Sequence, residues 1–159
     1  MVVEAAGRDD LRHVDHDQAF DGIDSFPVDP AWNKTARFEP YEPPKQIPIV
    51  NVLEMIEPSP SPGALVFEHD GETYRLDTLD AGPELFVIFA DETNGRETYG
   101  AGRYLYAQKA GSDGITQLDF NKAYNPPCVF TPYATCPFPP PQNKLSVAVT
   151  AGEQKYAHP

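Results

Sequence analysis

Cysteine is nearly missing from this 159-residue chain: only Cys128 and Cys136 occur, too few for the disulfide framework of a small secreted scaffold. Basic residues are scarce too, 12 against 24 acidic ones, with no run of Lys or Arg. The net charge of -12 excludes nucleic-acid and anionic-membrane surfaces, both of which need clustered cations. It fits instead a solvated acidic surface adapted to salt. No apolar stretch approaches the ~20 residues of a membrane-spanning helix, and the start MVVEAAGRDD lacks the basic and apolar regions of a secretory signal. A soluble, cytoplasmic protein is therefore expected. The GAG of YGAGRYLY has neither the third glycine, the following helix nor the lysine of a phosphate loop, and no serine sits in a GxSxG elbow.

Metal and thiol chemistry find little support. Cys128 and Cys136 have no CxxC spacing, and His13, His16, His69 and His158 are all remote from them in sequence. Inert, buried cysteines are expected rather than zinc ligands or a catalytic thiol. His13 and His16, beside Asp15 and Asp17, have the composition of a metal patch but lie in a polar lead-in, so they read as incidental. No cofactor is specified.

Proline, by contrast, is abundant. Eighteen occur, nine of them between positions 27 and 62, which rules out long helices there and predicts short strands and extended connectors. Residues 1–24 read as an acidic, weakly structured or short-helical lead-in, and 25–159 as one β-rich domain. Runs rich in β-branched and aromatic residues recur at 47–56, 63–69, 72–79, 84–91, 103–108, 115–120 and 145–150. Their spacing predicts a single-domain antiparallel meander forming a small barrel or strongly curved sheet, with the Pro-rich loop covering one end. Residues 85–90 are apolar at every position, the pattern of a central strand covered on both faces.

Three sites carry hairpin chemistry: His69, Asp70 and Gly71; Asn94 and Gly95; Asp113 and Gly114. A two-residue turn at Asn94 and Gly95 would set Phe86 opposite Arg103 and keep Asp91 and Arg103 apart, unless Gly100 and Gly102 introduce a bulge. The same rule at Asp113 and Gly114 puts Tyr104, Tyr106 and Gln108 on one face with Asp119 and Asn121, a candidate polar pocket or an ordinary outer surface. Arg103 falls on the opposite face with Leu105, where a guanidinium needs an acidic or backbone acceptor. The segment 118–143 crowds Asp119, Asn121, Tyr124, Asn125, Cys128, Tyr133 and Cys136 into a loop stiffened by prolines, suited to a prepared site or to a plug.

The strings GALVFEHDGETYRL, LFVIFADETNGRETYGAGRYL and LDFNKAYNPPCVFTPYATCPFPPPQNKLSVAVTAGEQ resemble the uncharacterised bacterial and archaeal family catalogued as domain of unknown function 1684. The resemblance runs from about position 20 to 155. It implies a β-rich domain and draws attention to Asp91, Thr98, Tyr99, Arg103, Asp119, Asn121, Tyr124, Asn125, Cys128, Cys136 and Glu153, without assigning any of them a role. The chain looks shorter at its N-terminus than many relatives.

Two readings follow. In the first, a small polar or anionic molecule binds in a pocket under the 121–141 loop, with Arg103, Asp119, Asn121, Tyr124, Asn125, Tyr99 and Cys128 as candidate ligand-binding residues. Arg103 would hold the anion and Asp119 would orient it or accept a proton. In the second, the protein is a non-enzymatic structural or interaction domain whose loop presents Phe130, Tyr133 and Phe138 to a partner. Whether the chain is an enzyme is left open, as is a homodimer through a sheet edge.

Overall fold

The computed structural model of the chain describes residues 24–127 and 136–155. The acidic lead-in, with His13 and His16, therefore lies outside the described residues, as do Cys128, Phe130 and Tyr133. A 3-10 turn at Pro30–Trp32, capped by the Asp29 side chain, leads into the sheets. The strands are β1 (Asn33–Val50), β2 (Ile56–His69), β3 (Glu72–Asp77), β4 (Leu79–Ala81), β5 (Glu84–Phe89), β6 (Arg103–Gln108) and β7 (Ile115–Asp119).

They form two antiparallel sheets, ordered β3-β2-β1-β7 and β4-β5-β6. The sheets meet at two corners. Thr78 donates from its backbone and its hydroxyl to the Gly63 carbonyl, and the Thr116 hydroxyl donates to the Gln108 carbonyl. A half-barrel results, filled by one core to which both sheets contribute: Leu65, Phe67 and Leu76 on one side, Val87, Phe89 and Leu105 on the other. Burying each such side chain contributes about 1.5–3 kcal/mol. The mainly β, antiparallel, curved architecture expected from the strand spacing is the one found.

Several details differ from the sequence expectation. The proline-rich half holds the two longest strands, of 18 and 14 residues, rather than short ones. The register explains why: Pro48 faces Pro58, and Pro60 occupies the equivalent position opposite Gln46. A pair without a single N–H can only be a non-hydrogen-bonded pair, so the missing donors all lie on outward-facing positions and the ladder loses nothing. The 47–56 run is broken by a tip at residues 51–55, where the Asn51 side chain accepts from the Leu53 and Met55 amides and Glu54 takes a φ of 64°.

The turn at Asp70 and Gly71, with φ values of 51° and 82°, forms the expected two-residue hairpin, pairing His69 with Glu72. The other two turns do not. Residues 90–102 form a long loop, so that Arg103 pairs with Phe89 and not with Phe86. Strands β6 and β7 go to different sheets, because β7 pairs with β1 instead. Residues 145–150 run without strand pairing. The central strand expected at 85–90 is β5: Leu85, Val87 and Phe89 face the main core, and Phe86 and Ile88 face a second cluster with Tyr104 and Cys136.

Candidate functional site

Arg103 is fully buried. Its guanidinium donates to the carbonyls of Ala151, Val149 and Glu153 and reaches Asp91 Oδ1 at 3.5 Å. Asp91 in turn accepts from Thr93 N–H at 3.2 Å, the Thr93 hydroxyl at 2.9 Å, Val149 N–H at 2.7 Å and the Asn94 amide at 3.2 Å. Burial pushes the Arg103 pKa down, against the pull of Asp91 and Glu153, but a guanidinium stays charged through such a shift. Asp91 and Arg103 are thus a direct buried pair, contrary to the two-residue-turn register. The longer loop folds back to let them meet. Their bonds tie the 91–98 turn to residues 149–153, which is a structural knot and not an open anion clamp.

The other residues singled out from the sequence are dispersed. Asp119 caps a 3-10 turn at Phe120–Lys122, accepting from the backbone and side chain of Asn121. Asn121 clasps Asp29 through both backbone groups, at 3.0 and 2.9 Å. Asn125 is buried, donating from its backbone to Glu153 Oε1 and from its side chain to the Gln154 carbonyl. Tyr124 pairs by backbone with Tyr104 and stacks parallel to Tyr106, ring centres 6.2 Å apart. Tyr99 is half-buried and its carbonyl accepts from Gly102. The polar face expected beside Tyr104 and Tyr106 is aromatic instead, with Phe86 against both rings. The structure does not gather Arg103, Asp119, Asn121, Tyr124, Asn125 and Tyr99 around one cavity, because β6 and β7 part company at the sheet corner.

Cys136 is disulfide-bonded, and the sequence has one other cysteine, Cys128. Cys136 is buried, as expected, and its oxidation state, which the sequence left open, is that of a disulfide. Disulfides persist in oxidising surroundings, so this bond lends no support to the cytoplasmic expectation. No described helix is long and apolar enough to cross a membrane. Among the described residues no group of three metal-ligating side chains occurs.

An open cleft of about 660 Å³ lies elsewhere, between residues 90–101 and residues 139–144. Pro139, Pro140 and Pro141 form one wall and belong to the proline-rich loop. The walls are joined by backbone bonds, Ala90 N–H to the Asn143 carbonyl at 3.1 Å and Leu145 N–H to the Ala90 carbonyl at 2.8 Å. Asn143 is itself locked, buried, to Asp77 and Ile88. Gly102, next to the cleft-lining Ala101, has a φ of 106°, and a Cβ there would lie 2.6 Å from the Phe89 carbonyl oxygen and 2.8 Å from Pro139. Arg96 and Lys144 both line this cleft, and among the described residues neither side chain has a hydrogen-bond or ion-pair partner. Glu92 stands on the same rim. The two cations sit 48 positions apart in segments without a motif, so nothing local in the sequence marks them.

A second polar cluster was also unmarked in the sequence. The buried Asp77 carboxylate accepts from the Tyr41 hydroxyl at 2.5 Å, Gln142 at 2.9 Å and Lys45 at 3.1 Å. Burial pushes its pKa up, but these three donors outweigh burial and hold it below the usual carboxylate value. Tyr41 also accepts from Arg75, which pairs with Glu39. Every carboxylate and cation in this cluster is matched, so it serves to lock the bulged part of β1 against β3.

The family described as "Protein of unknown function (DUF1684)" matches residues 18–154. A solved structure, the solution NMR structure of an uncharacterized protein of Haloarcula marismortui, is 34% identical. The match covers 86% of this chain and 77% of that one, with a TM-score of 0.69. No curated protein matches the chain.

Proposed function

The chain belongs to the DUF1684 family of proteins of unknown function, and we propose that it binds a small anionic molecule in the cleft between residues 90–101 and 139–144. One observation carries this reading: Arg96 and Lys144, in a chain of net charge -12, face the same cleft without internal partners. Some surface cations of this acidic protein are matched by carboxylates, as Lys109 is with Asp80 at 2.7 Å and Arg37 with Glu39 at 2.8 Å. Arg96 and Lys144 are not so matched; Asp91 and Glu92 also line the cleft, but Asp91 is already bonded to Arg103, which leaves positive potential for a ligand anion. The proline wall and the backbone bonds between the two segments hold the cleft open in advance, so little ordering cost falls on binding. This retains the anion pocket at the proline-rich loop and moves its cations from Arg103 to Arg96 and Lys144.

The test is native mass spectrometry of the purified protein against its denatured mass, followed by titration with phosphate, sulfate and citrate read by calorimetry. A retained or titratable anion that is lost in the Arg96→Ser, Lys144→Ser double variant, with unchanged melting of the free protein, is the expected result. Absence of binding to every anion, or binding indifferent to both substitutions, overturns it.

The alternative, an interaction domain, draws on the β1–β2 tip. Leu53, Met55 and Ile56 are 59%, 53% and 66% exposed there, and three neighbouring apolar side chains in solvent are a recognised mark of a contact surface.

A further inference from the structure

Lys34 on β1 points its amine at the ring of His69, the last residue of β2, with Nζ 2.9 Å from Nδ1. Two basic nitrogens at that distance share one proton: one must donate and the other must accept. The imidazole is fixed in place. It stacks on Trp32 with centroids 4.0 Å apart and planes 18° from parallel, and Trp32 is itself wedged edge-on against Phe120. The far nitrogen, Nε2, lies 3.5 Å from Asp70 Oδ2. The charged groups that act on Lys34 are Asp70 from the hairpin turn and Asp29 from the preceding segment. The imidazole therefore stands between an amine and a carboxylate, the order in which a nucleophile, its base and the base's orienting group are arranged in hydrolytic triads.

We infer that Lys34 is a reactive amine that captures small aldehydes or ketones as a Schiff base, with His69 as its proton acceptor and Asp70 orienting the ring. The lysine ammonium passes a proton to His69 Nδ1, and Asp70 stabilises the imidazolium. The neutral amine attacks the carbonyl carbon, forming the C–N bond while the C=O π pair moves to oxygen, which takes the proton back from the imidazolium. A second proton travels from nitrogen through the same ring to the hydroxyl. The C–O bond then breaks and water leaves. The net change is ammonium plus carbonyl to protonated imine plus water, without any redox partner. Burial pushes the amine's pKa down, only partly offset by Asp70 and Asp29, so the neutral, nucleophilic form is present at lower pH than in a free lysine. Neither the cleft cations nor the Asp91–Arg103 knot takes part, so the inference stands apart from the anion reading.

The full chain is incubated near neutral pH with benzaldehyde and cyanoborohydride, and the extent of labelling at each lysine is read by peptide mass spectrometry. Accessibility alone ranks the half-buried Lys34 below the exposed Lys45, Lys109, Lys122, Lys144 and Lys155. The relay predicts the reverse, with Lys34 labelled several-fold faster than any of them. In Asp70→Asn, whose changed side chain is 88% exposed and whose left-handed backbone suits asparagine, labelling slows at Lys34 and nowhere else. His69→Gln slows it further. Labelling of Lys34 no faster than at the exposed lysines overturns the inference. So does fast labelling that persists unchanged in Asp70→Asn.

Discussion

Arg103 illustrates how burial changes the meaning of a residue. A guanidinium with an exposed face is a ligand clamp. The same group with its Nη atoms bonded to three carbonyls and a carboxylate, and with its Nε left without a partner, is a fastener whose desolvation is only just offset. Arg103→Leu removes the cation and leaves Asp91 in a dry site, with three backbone carbonyls unpaired. The expected loss is about 3–5 kcal/mol of stability, measured by urea denaturation with unchanged m-value. A loss below ~1 kcal/mol would mean that water reaches the knot. The sequence placed Arg103 correctly on an inward-facing position and stated its need for an acidic or backbone acceptor. It did not identify Asp91 as that acceptor, because the length of the 90–102 loop depends on bonds to residues 143–149 that no local rule contains.

Among elements, the long β1–β2 ribbon stands out. Beyond Gly63, no strand among the described residues pairs with the outer side of β2, since β3 pairs only with positions 64–69. An open edge of this kind invites pairing with another chain. Pro58 and Pro60 remove the donors from that edge, while the Val50 carbonyl on the other edge is bonded to Phe138 N–H at 2.7 Å. Replacing both Pro58 and Pro60 with Val restores two outward N–H groups next to the exposed Ile56. Self-association should rise with concentration relative to the wild type, visible in sedimentation velocity, at nearly unchanged melting temperature. Equal sedimentation of variant and wild type would show that the prolines serve some other purpose. Proline here permits a long strand, which composition alone argued against.

For the whole molecule, charge dominates. With 24 acidic and 12 basic residues, like charges repel across a surface only partly neutralised by pairs such as Lys109 with Asp80 and Arg37 with Glu39. Added salt shortens the screening length from about 10 Å at 0.1 M to about 3 Å at 1 M, which weakens net repulsion more than it weakens the few surface pairs. The melting temperature should therefore rise steadily with sodium chloride. A flat or falling dependence would indicate that local pairing outweighs the net charge.

Strand content, antiparallel pairing, the doubly covered β5 and the Asp70–Gly71 hairpin were all determined by the sequence itself. They depend on side-chain alternation, turn chemistry and composition, which act within a few residues of each other. Tertiary structure alone decided that β7 pairs with β1 and not with β6, that Asp91 meets Arg103, and that Arg96 and Lys144 share a cleft while Lys34 meets His69. Each of these joins residues between 12 and 86 positions apart. Such contacts are selected by which sheet edges can close around one core, and that competition is settled only when the whole chain packs.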